Sequence, residues 1–107
     1  MRVVLHPEAG SEIRTAALWY DERSVGLGED LVAEVNDTLA RIATAPRSFA
    51  VWPGVIGRPA PVRRAVVHRF PYVVAFEAHP DRIVVLAIAH AKRRPLYWLS
   101  RIEPGQA

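Results

Sequence analysis

Apolar and polar positions recur along the chain with two different periods, which divides it into extended and helical segments. The longest apolar run is the seven residues from Ile83 to Ala89. A run of this length, rich in β-branched residues, predicts a strand buried on both faces. Shorter β-rich segments at 2–6, 62–68 and 72–78 predict three more strands, with prolines marking the turns.

Two segments between the first and second strands have the spacing of amphipathic helices. The apolar positions of the first are Ile13, Ala16, Ala17 and Tyr20, and Glu12 falls elsewhere on the helical wheel. The second runs from Leu27 to Ile42 and is closed by Pro46. Because the connection at Gly26–Gly28 is short, we expect an antiparallel helical hairpin.

The order of these elements predicts an α+β fold with the sequence β-α-α-β-β-β. We expect a single domain over residues 1–107, with an antiparallel-dominated sheet and the helical hairpin packed on one face. The last three strands are joined by short turns and should form a meander. The first strand must lie beside another strand after the chain has passed through both helices.

The composition fits a domain that works in a reducing, aqueous compartment. The chain has no cysteine, and its longest apolar run is far too short to span a bilayer. The amino-terminal residues lack the apolar core of a signal peptide, so we expect a cytoplasmic protein with no membrane partner. The histidines at 68, 79 and 90 have no metal-ligand spacing, and we expect neither a metal nor a cofactor.

Charge is distributed unevenly between the two halves of the chain. Residues 1–45 hold four arginines and eight acidic residues, whereas residues 58–101 hold nine basic and two acidic residues. This asymmetry indicates an anionic partner for the carboxy-terminal half, although a solvated basic face or neutralisation by the acidic helices would also explain it.

Catalytic candidates follow the longest strand. His90 could act as a general acid or base on a phosphodiester, or it could cap the sheet edge by bonding to backbone. Tyr97 could donate a proton, but Tyr97 and Trp98 could equally cover the core. Glu77 could pair with His90 if both face the same side of the sheet. Trp19 lies beside the apolar stripe of the first helix and could be either a core residue or a partner-binding anchor, as could Trp98.

Cations beside these residues are candidates for phosphate contact, because guanidinium groups bind phosphate in a bidentate manner. Arg63 and Arg64 point to opposite faces of a strand, so at most one reaches the site; we place Arg64 with the catalytic candidates. Ion pairing with the acidic helices or with a partner would be the alternative role. The proposed target-binding cations are Arg63, Arg69, Lys92, Arg93 and Arg94.

These elements together resemble the RelE/ParE family of bacterial toxins from type II toxin–antitoxin systems. The resemblance rests on Glu12 to Tyr20, Gly26-Leu27-Gly28, Val62-Arg63-Arg64, Arg69-Phe70-Pro71-Tyr72 and the stretch from Val84 to Trp98. The 70–72 turn and the 93–98 ending are more similar to the plasmid-stabilisation, ParE-like branch.

The resemblance implies a growth-inhibiting toxin that a cognate antitoxin neutralises. RelE-like toxins cut mRNA on the ribosome, whereas ParE-like toxins poison DNA gyrase without known nuclease residues. From the basic half and its histidine and tyrosine we expect action on translation, by cutting or blocking mRNA. Gyrase inhibition is the alternative, and an inactive binding module is a third. We expect the binding segment of the antitoxin to be acidic and amphipathic.

Overall fold

The computed structural model describes residues 1–55 and 60–102. Its six main elements follow the predicted order: β1 (Arg2–Leu5), α1 (Pro7–Arg23), α2 (Leu27–Thr44), β2 (Val62–Val66), β3 (Tyr72–Ala78) and β4 (Arg82–His90). Two 3-10 helices, Pro46–Ser48 and Tyr97–Arg101, complete the described part. The first predicted strand ends one residue early, because His6 is instead the N-cap of α1, where its Nδ1 accepts a hydrogen bond from the backbone N–H of Glu8 at 3.1 Å.

The four strands form one mixed sheet in the order β1-β4-β3-β2. The meander is confirmed, since β2 pairs with β3 and β3 with β4 in antiparallel fashion, and β1 lies parallel to β4 at the edge. Ala75 pairs with Ala87 and Phe76 pairs with Val85, which leaves Leu86 without a partner on β3. A β-bulge at Leu86 therefore interrupts the central strand near the end of its pairing with β1.

The helical hairpin packs on one face of the sheet, as predicted. Leu31, Val35 and Ile42 of α2 are at most 1% exposed and pack against the sheet together with Ala9 and Ala16 of α1. The burial of these side chains is the main source of stability for the hairpin, because a short amphipathic helix is marginal in water without tertiary packing.

A second apolar cluster covers the opposite face of the sheet. Trp98 and Ile102 from the carboxy-terminal segment pack with Val55 on β4 residues Leu86 and Ala87. This layer explains why β4 is buried on both faces, with Val84 only half-buried. The sequence predicted the burial of β4 and left open whether Trp98 covers the core, and the structure shows that it does.

The two helices approach closely where they are joined. Gly26 has a φ of +89°, which a non-glycine residue rarely adopts. A Cβ on Gly28 would lie 2.3 Å from the carbonyl oxygen of Ala17, so only glycine fits there without a shift. The backbone N–H of Gly28 donates to Oδ1 of Asp21 at 2.8 Å, and α1 thereby caps the amino-terminal end of α2.

None of the helices in residues 1–55 and 60–102 is long and apolar enough to cross a bilayer.

Candidate target-binding site

Two clefts meet where β4 ends, and His90, Arg93 and Tyr97 line both. The helix cleft has a volume of about 550 Å³ and runs along α1. Its other lining residues include Glu8, Glu12, Trp19, Tyr20, Tyr72 and Arg101. The arginine cleft, of about 330 Å³, lies on the opposite face of the sheet. Its other lining residues include Trp52, Arg64, Arg94 and Trp98.

The helix cleft is lined by a buried ion pair that sequence reasoning missed. Glu12 of α1 binds the Arg101 guanidinium through two hydrogen bonds, of 2.9 and 3.1 Å. The side chains of Glu12 and Arg101 are only 15% and 12% exposed. Burial alone would lower the pKa of Arg101, but the hydrogen bonds to Glu12 and the negative charges of Glu12 and Glu8 together raise it.

The same two side chains form hydrogen bonds with the backbone of β4 beyond the end of β1. The backbone N–H of Ile88 donates to Glu12 at 3.0 Å, and Arg101 donates to the carbonyl oxygen of Leu86 at 3.0 Å. Since β1 pairs only as far as Val85, these backbone groups would otherwise be unpaired in a partly buried setting. The Glu12 and Arg101 side chains therefore make hydrogen bonds that a neighbouring strand would otherwise make, and they hold the carboxy-terminal segment against the sheet.

Tyr97 belongs to this network. Its hydroxyl donates to the second carboxylate oxygen of Glu12, and the Arg93 guanidinium lies 3.9 Å from the centre of its ring. Burial raises the pKa of Tyr97, and the hydrogen bond to the Glu12 carboxylate raises it further. The phenol proton is thus held more tightly than in an exposed tyrosine and is directed at Glu12.

His90 ends β4 in the sheet-capping arrangement that the sequence left open. The backbone N–H of Lys92 donates to its Nδ1 at 3.0 Å, and its ring packs edge-on against Tyr72. A neutral imidazole has one acceptor and one donor nitrogen. With Nδ1 accepting from backbone, the Nε2 nitrogen carries the proton and acts as a donor.

Arg64, Arg93 and Arg94 are brought together around the arginine cleft, as expected for a phosphate-binding surface. Among the described residues, none of these three guanidinium groups has a carboxylate within 4 Å, whereas Arg41, Arg69, Arg82 and Arg101 each have one. Arg63 and Arg64 point to opposite faces of the sheet, as predicted. Val62, which shares a face with Arg64, packs in the second apolar cluster, whereas Ala65, which shares a face with Arg63, packs on the side covered by the helices.

Three of the proposed target-binding cations lie outside both clefts. Arg63 donates to the carbonyl oxygen of Phe49 at 2.8 Å, so it braces the segment before β2 instead of meeting a ligand. Arg69 forms an ion pair with Asp30 of α2 at 3.3 Å, which is the alternative role considered for the cations. Lys92 is exposed beside the arginine cleft but does not line it.

The two tryptophans proposed for partner binding have different environments. Trp19 is 48% exposed, lines the helix cleft and has the Arg23 guanidinium stacked 3.4 Å from its ring centre. Trp98 is 1% exposed and forms the floor of the arginine cleft. A side chain this buried offers almost no surface to a partner, so the assignment of Trp98 to partner binding is corrected to a core role.

Glu77 and His90 do not meet. His90 pairs with Tyr72, and Glu77 lies five residues further along β3, about 17 Å away at the usual rise of a strand. Glu77 instead lies 3.4 Å from Nε2 of His79. No group of three histidine or carboxylate side chains in the described part of the chain is arranged to hold a metal ion.

Glu12, Arg101 and Trp52 are the site residues that sequence reasoning missed. Glu12 was expected on the polar side of α1, yet it lies three and four residues from Ala9 and Ala16, which are buried. A carboxylate sharing a helix face with buried residues must find a cation. That spacing was the available signal, whereas nothing local marked Arg101 as its partner.

These features define a small α+β protein with a cationic and aromatic surface at one end of its sheet. Residues 3–95 match the sequence model of the family described as the ParE toxin of the type II toxin–antitoxin system parDE. The chain therefore belongs to the ParE toxin family, which confirms the ParE-like branch of the resemblance.

A solved structure described as a chromosomal ParDE TA system from P. aeruginosa shares this fold. It superposes with a TM-score of 0.72 at 16% sequence identity, over 86% of this chain and 97% of that chain. No curated protein matches the chain.

Proposed function

We propose that this ParE-family toxin inhibits DNA gyrase in the cytoplasm without cutting nucleic acid, and that a cognate antitoxin neutralises it. Membership of the ParE family favours gyrase as the target. The observation that carries the non-nuclease part is the hydrogen bonding of His90 and Tyr97.

A nuclease needs one group free to take a proton from the attacking hydroxyl and another to protonate the leaving oxygen. The acceptor nitrogen of His90 already accepts the Lys92 N–H. The Tyr97 hydroxyl is bonded to Glu12, and its raised pKa makes it a weak acid. Neither group is positioned as a general base, and Glu77 lies too far from His90 to act with it. This geometry favours binding and obstruction over hydrolysis, against the initial expectation of action on mRNA.

The test is an in vitro supercoiling reaction with purified gyrase, run beside a ribosomal translation extract containing labelled mRNA. The toxin should abolish supercoiling and leave the mRNA intact. Intact supercoiling together with toxin-dependent mRNA fragments would overturn the proposal.

His90→Asn is the informative variant, because the Asn oxygen can accept the Lys92 N–H while the imidazole is lost. We expect a loss of inhibition of no more than about tenfold, the effect of one hydrogen bond. A catalytic histidine would instead cost roughly 100- to 10,000-fold. Arg14→Gln serves as a surface control, since Arg14 is exposed on α1 and its side chain donates a hydrogen bond to Ser11 of the same helix.

For the antitoxin, the helix cleft is the proposed docking surface. Trp19 and the neighbouring Leu18 are 48% and 66% exposed, and the Arg23 side chain donates to the carbonyl oxygen of Trp19 at 2.8 Å while stacking on its ring. Trp19 is therefore held in place before a partner arrives. Fixed aromatic anchors of this kind are typical of interface hot spots.

A further inference from the structure

We propose that the arginine cleft binds a single-stranded nucleic-acid segment, with its phosphates on Arg64, Arg93 and Arg94 and a base stacked on Trp52. This inference goes beyond gyrase inhibition and does not depend on it.

Charge is the first argument. Within residues 1–55 and 60–102, the lining of the arginine cleft contains three arginines and one histidine and no carboxylate. The helix cleft, by contrast, contains Glu8 and Glu12. Three guanidinium groups around one small cleft repel each other, and a bound polyanion would relieve that repulsion. Planar guanidinium groups also match the geometry of phosphate oxygens.

The hydrogen bonding of His90 agrees with an anionic ligand. Since Nδ1 accepts from backbone, the Nε2–H group is left as a donor, and His90 lines the arginine cleft. A donor adds to the three guanidinium groups as a phosphate contact. A free acceptor nitrogen in the same place would repel a phosphate oxygen.

Trp52 supplies the aromatic surface. It is half-buried and packs edge-on against Trp98, with ring centres 5.0 Å apart and planes at 77°. Trp98 is fixed in the second apolar cluster, so the Trp52 ring is braced from below. The Arg64 guanidinium lies 5.7 Å from the Trp52 ring centre. A rigid indole next to a cation is the arrangement on which bases of single strands stack, without sequence preference.

The flat aromatic surface distinguishes nucleic acid from an acidic peptide. Carboxylates on a peptide require only the cations, whereas a base gains from the indole as well. The cleft volume of about 330 Å³ is at the lower end of small-molecule sites, which suits one nucleotide with its neighbouring phosphates. A duplex would hide its base faces from Trp52, so we assign a single strand.

The experiment measures fluorescence anisotropy of labelled twelve-nucleotide dT and rU oligonucleotides with the purified full-length chain and no gyrase present. We expect saturable binding to at least one of them. Neutralising three phosphates should give a slope of log affinity against log salt of about −2, from about −0.7 per phosphate of a single strand. A preference for dT indicates DNA as the natural ligand, and a preference for rU indicates RNA.

Variants separate stacking from charge. Arg94→Gln should reduce the magnitude of the salt slope by about 0.7, whereas the matched charge loss Arg14→Gln on α1 should leave it unchanged. Trp52→Leu should weaken binding by roughly five- to a hundredfold while keeping the slope, because stacking is not ionic. If circular dichroism shows that Trp52→Leu does not fold, the comparison of Arg94→Gln with Arg14→Gln tests the proposal by itself. Arg94 is exposed, so we expect its variant to fold.

Three results would overturn the proposal: no saturable binding of either oligonucleotide at low salt, displacement by polyglutamate at equal charge concentration, or equal effects of Arg14→Gln and Arg94→Gln. Displacement by polyglutamate would assign the cleft to an acidic peptide. None of these binding measurements involves supercoiling. A negative result would therefore contradict nucleic-acid binding by the arginine cleft without contradicting gyrase inhibition.

Discussion

Tyr97 lies between a carboxylate and two guanidinium groups, and these neighbours decide what its phenol can do. Its hydroxyl donates to Glu12, and Arg93 and Arg101 lie 3.9 and 5.2 Å from its ring. From the sequence, Tyr97 was an equally good proton donor or core residue. The difference depends on Glu12, which is 85 positions away in the chain, so no local pattern could reveal it.

The raised pKa of Tyr97 predicts a loss of stability at alkaline pH. Because the folded state holds the phenol proton more tightly than the unfolded state, this stabilisation is complete below the unfolded pKa of about 10 and is lost as the pH rises above it. The free energy of unfolding in urea, measured from pH 8 to 11.5, should fall less steeply in Tyr97→Phe than in the wild type.

Tyr72 also has a raised pKa, caused mainly by burial, so part of the slope should remain in the Tyr97→Phe variant. Identical slopes in the two proteins would show that the pKa of Tyr97 is not raised by burial and by Glu12 in the folded state.

At the scale of elements, the helical hairpin depends on one close contact. The sequence predicted a break at Gly26–Gly28, and the structure shows two different reasons for the glycines. Gly26 is needed for its positive φ, and Gly28 for the absence of a Cβ against Ala17. The second reason could not be predicted, because it depends on how closely the helices pack.

Gly28→Ala should therefore destabilise the protein, although alanine is the better helix former by about 1 kcal/mol. Its Cβ would lie 2.3 Å from a backbone oxygen and 2.9 Å from Asp21, and overpacking of this kind typically costs about 1–3 kcal/mol. The measurement is the free energy of unfolding in urea.

Gly10→Ala is the matched control in α1. A Cβ there would meet only the flexible end of Arg14 at 3.4 Å, so we expect a gain of about 0.5–1 kcal/mol. If both variants are more stable than the wild type, α1 and α2 do not approach each other at Gly28 as closely as the structure shows.

For the whole molecule, two apolar layers lie on opposite faces of one sheet, and the carboxy-terminal segment forms much of the second. Trp98 anchors that layer, and the Glu12–Arg101 pair fastens it. Trp19, on the helix side, is left half-exposed. The sequence left both tryptophans open between a core role and partner binding, because local context gives no measure of burial across the sheet.

Alanine substitutions should separate these two roles. Trp98→Ala should lower the free energy of unfolding by about 3–5 kcal/mol, as for other large core truncations. Trp19→Ala should change stability little but weaken binding of the cognate antitoxin by roughly thirtyfold or more, the loss typical of a hot spot. Urea unfolding and isothermal titration calorimetry measure the two effects. Unchanged antitoxin affinity in Trp19→Ala would remove the helix cleft as the docking surface.

The sequence by itself determined the order of elements, the meander, the face covered by the helices and the clustering of arginines near the end of β4. These features follow from local periodicity and turn residues, which act over a few positions. The tertiary structure alone decided that Trp98 is buried, that Arg63 and Arg69 bind elsewhere, and that Glu12 joins Arg101 and Tyr97. Those outcomes depend on contacts between distant segments, where burial and charge pairing are set by packing.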